Sequence, residues 1–210
     1  MIHKTIHQIV GPNTTPLIEY CLASWKPLEK YGFSIIVWDD LLIEDFIRNH
    51  HPFALDTFLN ARNYAEAADI ARYLFMFTKG GFYIDWDVQL LNEHAFIDLA
   101  TKYSNGYMLV DYTNNTLAPE FIYAKKGDIY FMNLVYDIVE IYNSGKRDQL
   151  STPKFSGPYR MRDSLEKHKI TNMSIIDVKE AFVYDYNEIR VRPPRKIDHA
   201  MVHYWAHTWL

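Results

Sequence analysis

Short β-branched or aromatic runs alternate along the chain with longer stretches whose apolar residues recur at helical spacing. Thr5 to Val10 predicts a first strand, stopped by Gly11-Pro12. From about Pro16 to Lys30 the pattern predicts a helix, with Pro16 in the first turn, where its missing N–H costs nothing. Phe33 to Trp38 predicts a second strand, and Asp39 and Asp40 are suited to cap the helix that follows. Asn63 to Lys79 predicts a further helix ended by Gly80-Gly81, and Phe82 to Ile84 a short buried strand leading into Asp85. Gly106 to Val110 and Phe121 to Ala124 predict strands. Ile129, Met132, Val135, Tyr136, Val139 and Tyr142 share one helical face opened by Asp128. A short helix near Tyr159 to His168 and strands near Ser174 to Val178 and Ala200 to Tyr204 complete the pattern. Strands and helices in alternation specify an α/β fold with a mostly parallel central sheet flanked by helices.

No Pro/Gly/Ser-rich linker or repeat interrupts the 210 residues, so 1–210 is expected to be a single domain with room for a full core. Hydrophobic residues at 49% and charged residues at 23% fit a globular chain. A net charge of −4 argues against a nucleic-acid binder. Aromatic residues reach 16%, which fits sugar-stacking surfaces and fits an aromatic core equally well. Cys21, the single cysteine, excludes an internal disulfide, and its apolar neighbours suit a buried thiol. The start of the chain lacks a leader-like apolar region, and Tyr73 to Phe77, the most apolar stretch, is too short to span a bilayer. The expected location is cytoplasmic, with peripheral contact at the inner membrane face left open. The basic run from Arg190 to Lys196 fits a solvated loop, or contact with lipid phosphates.

The segment Tyr83-Ile84-Asp85-Trp86-Asp87 carries the first chemistry. In an extended backbone Asp85 and Asp87 point to one side, and two adjacent carboxylates repel each other unless a cation lies between them. Mg²⁺ and Mn²⁺ prefer oxygen ligands, and a diphosphate can fill the rest of their shell. That arrangement suits departure of a nucleoside diphosphate from a sugar. A solvated turn after a strand would also carry two such acids. Upstream, Asp69 and Arg72 share one face of an otherwise apolar helix, so their burial needs compensation. They either pair with each other or face a bound sugar and its diphosphate; spacing alone does not choose.

Ala68-Asp69-Ile70-Ala71-Arg72-Tyr73 and Gly80-Gly81-Phe82-Tyr83-Ile84-Asp85-Trp86-Asp87 resemble the DXD-containing sugar-binding region of glycosyltransferase family 32. That family includes yeast mannosyltransferases and bacterial capsule and lipopolysaccharide enzymes, and is related to the clostridial glucosylating toxins. Ile6-His7-Gln8-Ile9, Ser24-Trp25-Lys26, Trp38-Asp39-Asp40, Ser156-Gly157-Pro158 and His203 to Trp209 resemble its other landmarks in order. The resemblance implies a GT-A-type nucleotide-diphospho-sugar transferase fold, a nucleotide-sugar donor, a divalent metal (Mn²⁺, or Mg²⁺) and retention of anomeric configuration. By position it makes Asp87 and Asp85 metal ligands, with His203 completing the shell. Asp69 and Arg72 hold the donor sugar, Tyr83 and Trp86 line its pocket, and His207 and Trp209 close over the diphosphate. Ile9 and Val10 fall on the base side. Val10, followed by Gly11, stands where the family carries an aromatic that stacks on uracil, which leaves the choice between UDP and GDP open. His203 and its neighbours would also suit a terminal strand with incidental histidines.

The expected function is transfer of a hexose, from a UDP-sugar by preference, to a glycan or lipid-linked acceptor in surface polysaccharide synthesis. Asp85, Asp87 and Arg72 are its catalytic residues. Residues 41–62 and 111–120 are the segments expected to meet the acceptor. A non-catalytic sugar-binding module, a degenerate transferase and a metal-dependent phosphohydrolase are the alternatives. The last would want a two-metal cluster of His and Asp, for which no spacing is present.

Overall fold

Five of the α-helix starts are held by a side chain that accepts an otherwise unpaired backbone amide, one of them Asn92, which takes His94 and Ala95 N–H. Thr15 takes Ile18 N–H, Asp39 takes Leu42 N–H, Asn63 takes Glu66 N–H and Asp128 takes Tyr130 N–H. The computed structural model describes residues 2–191 and 199–206. In order, the chain forms β1 (Thr5–Ile9), α1 (Pro16–Ser24), β2 (Ser34–Trp38), α2 (Asp40–His50), α3 (Leu55–Leu59) and α4 (Tyr64–Thr78). Then come β3 (Gly81–Ile84), β4 (Val88–Leu90), α5 (Glu93–Lys102), β5 (Gly106–Asp111) and β6 (Thr116–Ala124). The remainder is α6 (Ile129–Asn143), α7 (Thr152–Phe155), α8 (Pro158–His168), β7 (Ser174–Asp177) and β8 (Met201–His203).

The six-stranded sheet has the order β2-β1-β3-β6-β5-β7, and every strand but β6 runs one way. This is the expected mostly parallel α/β arrangement. Both faces are covered, as parallel sheets require. Tyr83 and Ile122 face a core built with Leu74 and Phe75 of α4 and Phe131 and Leu134 of α6. Phe82, Phe121 and Tyr123 face a second core with Trp25 and Phe96. Many of the aromatic residues therefore fill the interior: Phe82 stacks on Tyr123 at 4.1 Å, and Trp38 on Phe75 at 4.1 Å. Cys21 is buried, which pushes its thiol up to about 12.

Two expectations are revised. The helix predicted over 16–30 ends at Ser24 and continues as a 3₁₀ turn over Lys26–Tyr31, closed by Gly32 at φ +81°. Pro27 has no N–H to continue the helical ladder, and it disfavours helical geometry at Lys26. The strand predicted near the end of the chain does not join the main sheet; β8 pairs antiparallel with β4 in a separate two-stranded ribbon.

The joint between α4 and β3 is held from below. Gly81 has φ +93°, and a Cβ there would lie 2.4 Å from the carbonyl oxygen of Thr5, so only glycine lets β3 enter beside β1. Trp38 Nε1 donates to His7 Nδ1 at 3.1 Å, which leaves His7 Nε2–H to donate to Gly80 O, also at 3.1 Å. Burial pulls this imidazole down to about 4, so it sits neutral and ties β1, β2 and the α4–β3 joint together. No helix among the described residues is long and apolar enough to cross a membrane.

Candidate active site

Asp85 follows directly on β3, and Val88 N–H donates to Asp85 O at 3.1 Å, closing a tight turn over 85–88. The two aspartates therefore do not share a side through strand alternation, as an extended segment would have them do. They meet because the turn folds Asp87 back and because β8 lies against β4. Val88 is paired with His203, Tyr204 N–H donates to Asp87 O at 3.1 Å, and Ala206 N–H donates to Asp87 Oδ2 at 2.8 Å. One oxygen from each of Asp85 and Asp87 and one ring nitrogen of His203 lie within 4.8 Å of one another. His203 Nε2 is 3.2 Å from Asp87 Oδ1.

Arg72 faces the same corner from α4. Its Nη1 donates to Pro119 O at 2.8 Å and lies 3.1 Å from Asp85 Oδ1; its Nη2 is 3.4 Å from Asp69 Oδ1, and its Nε donates to Ala68 O at 3.2 Å. The guanidinium lies over the Tyr83 ring at 4.6 Å, and Tyr83 Oη donates to Asp85 Oδ1 at 2.6 Å. Ser156 Oγ donates to Asp69 Oδ2 at 2.7 Å. Asp69 and Arg72 thus pair with each other, and both also line the cleft.

The charges are unevenly balanced. Burial pushes Asp85 up, with Arg72 opposing and Asp87 adding to the rise. Burial also works against ionised Asp87, but the His203 charge and hydrogen bond and the Ala206 amide outweigh it, so its carboxyl lies below the usual range. Burial alone would lower His203; Asp87 and Glu120 instead push it up to about 10. Burial brings Asp69 up to about 6 against the pull of Arg72. A proton on His203 thus supplies positive charge where two carboxylates converge. Two carboxylate oxygens and an imidazole at this separation are a donor set that Mn²⁺ and Mg²⁺ accept, so the residues fit a divalent ion, whose binding would release that proton.

A cleft of about 450 Å³ opens at this corner. Asp69 and Arg72 of α4, Asp85, Glu120 of β6 and Trp205 form part of its wall, and Asp111, Asn114, Tyr159 and Tyr186 extend it. Residues 111–120 therefore do reach the cleft. Residues 41–62 do not: most of that segment is helical in α2 and α3, and none of it is in the lining. Ile9 packs in the core, and the amide of Val10 donates to Trp38 O. Because β1 and β3 are parallel, with His7 beside Tyr83, Ile9 and Val10 leave the sheet at the same end as Asp85, outside the cleft lining. Trp86 and Tyr83 are buried. His207, Trp209 and most of the basic run (192–196) lie outside the described residues.

The sequence singled out Glu120 only as the last residue of the 111–120 segment, and gave Ser156 and Trp205 no individual role. Ser156 stood in the matched Ser-Gly-Pro landmark, and Pro119 within a strand was a sign of a bulge beside Glu120. Trp205 stood in the matched His203–Trp209 landmark; its left-handed backbone, φ +46°, is visible only in the fold.

Residues 17–115 match the family model described as a glycosyltransferase sugar-binding region containing the DXD motif. Among curated proteins, the chain is 40% identical over 93 residues to mannosyl phosphorylinositol ceramide synthase SUR1 of Saccharomyces cerevisiae. It is 33% identical over 88 residues to the yeast synthase CSH1. Each match covers 41% of this chain, and the chain spans only 23% of the length of each yeast protein. A third relative, uncharacterized glycosyltransferase L373 of Acanthamoeba polyphaga mimivirus, is 29% identical over 200 residues, covering 85% of this chain and 72% of its own length. Among solved structures, PaToxG glycosyltransferase superposes with a TM-score of 0.58 at 17% identity, covering 79% of this chain and 69% of that one. A glycosyltransferase involved in glycosylation of the major capsid of PBCV-1 gives 0.52 at 14% identity, covering 95% and 92%. The fold is therefore that of the GT-A glycosyltransferases.

Proposed function

Because residues 17–115 carry the DXD-containing sugar-binding region of glycosyltransferases, we propose that this chain transfers a hexose from a nucleotide sugar, UDP-linked by preference, to an acceptor hydroxyl with retention of configuration. The observation that carries this reading is the Asp85–Asp87–His203 group beside Arg72, with Asp85 and Arg72 lining a cleft large enough for a sugar. Asp85, Asp87 and His203 would hold a divalent ion, Mn²⁺ or Mg²⁺, which neutralises charge growing on the departing diphosphate.

The rest falls to the chain's own groups. Arg72, fixed by Pro119 O, Asp69 and Asp85, keeps a positive charge aimed at the cleft and stabilises the leaving phosphate without rearranging. Asp69, its second oxygen oriented by Ser156, accepts hydroxyls of the donor sugar. Tyr83 holds Asp85 in place under the guanidinium. Ile9 and Val10, at the same sheet end, take the nucleotide base. No residue of the matched motifs is an evident covalent nucleophile. Attack on the face that the leaving group departs from, through a short-lived oxocarbenium-like ion pair with the departing phosphate taking the acceptor proton, is the route we favour.

The yeast relatives are named mannosyl phosphorylinositol ceramide synthases, which supports a lipid-linked acceptor; a glycan acceptor and a cytoplasmic location at the membrane face belong to the same proposal. Surface polysaccharide synthesis is the context we assign to it. The test is a thermal-shift and nucleotide-release screen of UDP- and GDP-hexoses with and without Mn²⁺. Metal-dependent stabilisation by one donor and nucleotide release on adding acceptor are expected. Glycan binding that is indifferent to EDTA, with no donor binding, would overturn the reading in favour of a sugar-binding module.

A further inference from the structure

Glu120 lies beyond the DXD region at 17–115, yet the fold aims its carboxylate into the metal corner. The cause is a break in the β5–β6 ladder. Met108 pairs with Ile122 but Val110 pairs with Leu117, so two steps along β5 correspond to five along β6. The surplus is Ala118-Pro119-Glu120, and all three residues line the cleft. A bulge of this kind re-aims side chains, and Pro119, with no N–H to give to the ladder, suits it. The same segment anchors its neighbours through its backbone: Pro119 O accepts from Arg72, and Glu120 O accepts from the amide of Asp85 at 2.9 Å.

His203 presents two nitrogens to two different carboxylates. Nε2 is 3.2 Å from Asp87 Oδ1, and Nδ1 is 3.5 Å from Glu120 Oε1. Nδ1 is buried and makes no hydrogen bond at this separation. The flanking rings, Phe182 with centroids 6.0 Å away and Trp205 at 4.1 Å, offer its N–H no carboxylate. Once Nε2 serves as a ligand, the ring proton can reside only on Nδ1, where it needs an acceptor. An approach of Glu120 to ordinary hydrogen-bond length, about 2.7–3.2 Å, supplies it.

We infer that Glu120 is a positioning residue for the metal ligand His203: its carboxylate receives Nδ1–H and so holds Nε2 toward Asp87 and the cation. The inference rests on the metal-site reading above and is tested apart from it. Mn²⁺ affinity of the EDTA-stripped full chain is measured by electron paramagnetic resonance for the wild type, Glu120→Ala, Glu120→Met, Glu120→Gln, His203→Ala and the Glu120→Ala/His203→Ala double variant. Loss of the acceptor in the Ala and Met variants weakens Mn²⁺ about 10–100-fold, and Gln, which keeps an acceptor oxygen, recovers most of that loss. On the His203→Ala background, Glu120→Ala has no further effect, because the residue acts through the imidazole. Turnover lost at low Mn²⁺ returns at saturating Mn²⁺, which a purely structural defect would not allow. Wild-type affinity in both the Ala and Met variants overturns the inference, as does a full loss that persists without His203. A wild-type chain that binds no Mn²⁺ overturns the metal-site reading, and this inference with it.

Discussion

Two buried sites in this molecule are assembled from the same kinds of side chain, and they behave in opposite ways. Asp137 of α6 is met by three donors of α8: Ser164 Oγ at 2.7 Å, Lys167 Nζ at 2.6 Å and His168 Nε2 at 3.0 Å. Burial works against its charge, but Lys167, Ser164 and His168 outweigh that and hold the carboxyl below the usual range. One acid meets enough donors, and the result is a helix-to-helix clasp. At the other site Asp85 and Asp87 share one corner, Asp85 is pushed up, and Asp69 and Glu120 add acidic groups nearby. Arg72 and His203 do not saturate these oxygens. A carboxylate with its donors in place is structure; a surplus of carboxylates beside a cleft calls for further positive charge, which a divalent ion would supply.

The contrast can be broken at its strongest point first. Asp87→Ala is expected to cost at least about 10²–10³-fold in transfer, the scale of losing one group aimed at developing charge, whereas Asp137→Ala keeps its turnover per folded molecule within a few-fold. Turnover assays of the two purified variants check this, and similar losses in both would dissolve the distinction. Metal gives the next effect. Mn²⁺ at about 100 times its dissociation constant should stabilise the wild type by about 2.7 kcal/mol, and EDTA should reverse this. In thermal melts the shift persists in Asp137→Ala and vanishes in Asp87→Ala.

Stability sharpens the other side. Asp137→Ala strips three donors of their acceptor and is expected to cost about 1–3 kcal/mol by chemical denaturation. Lys167 and His168 can turn to water, which keeps the cost out of the range of a fully buried pair. The smallest effect is one of pH. The folded-state pKa of Asp137 is depressed, so its contribution is complete above the unfolded value of about 3.9 and is lost as pH falls through the folded value. The stability gap between wild type and Asp137→Asn should therefore be constant near neutrality and shrink below about pH 4. A gap that widened on acidification would mean that the sign is wrong.

Much of this was readable along the chain. Asp39 and Asp128 act as helix caps, Gly80-Gly81 ends α4, and Phe82 to Ile84 delivers Asp85 to the edge of the cleft. Each depends on bonds made within a few residues, so local chemistry was enough to find them. The strand at Met201–His203 was expected too, but its partner was not, because a three-residue strand carries no code for which edge it joins. His168 showed no ligand spacing, and its partner Asp137 lies 31 residues away on another helix.

The sequence by itself determined the order of elements and the α/β class, and singled out Asp69, Arg72, Asp85 and Asp87 as candidate site residues, since periodicity, caps and a compact motif are properties of neighbouring residues. Only the tertiary structure decided how those groups meet. Asp85 and Asp87 converge through a turn, His203 arrives by pairing β8 with β4, and Glu120 is swung into place by a bulge between β5 and β6. Each of these depends on contacts between residues far apart in the chain, and such contacts are fixed by packing and register.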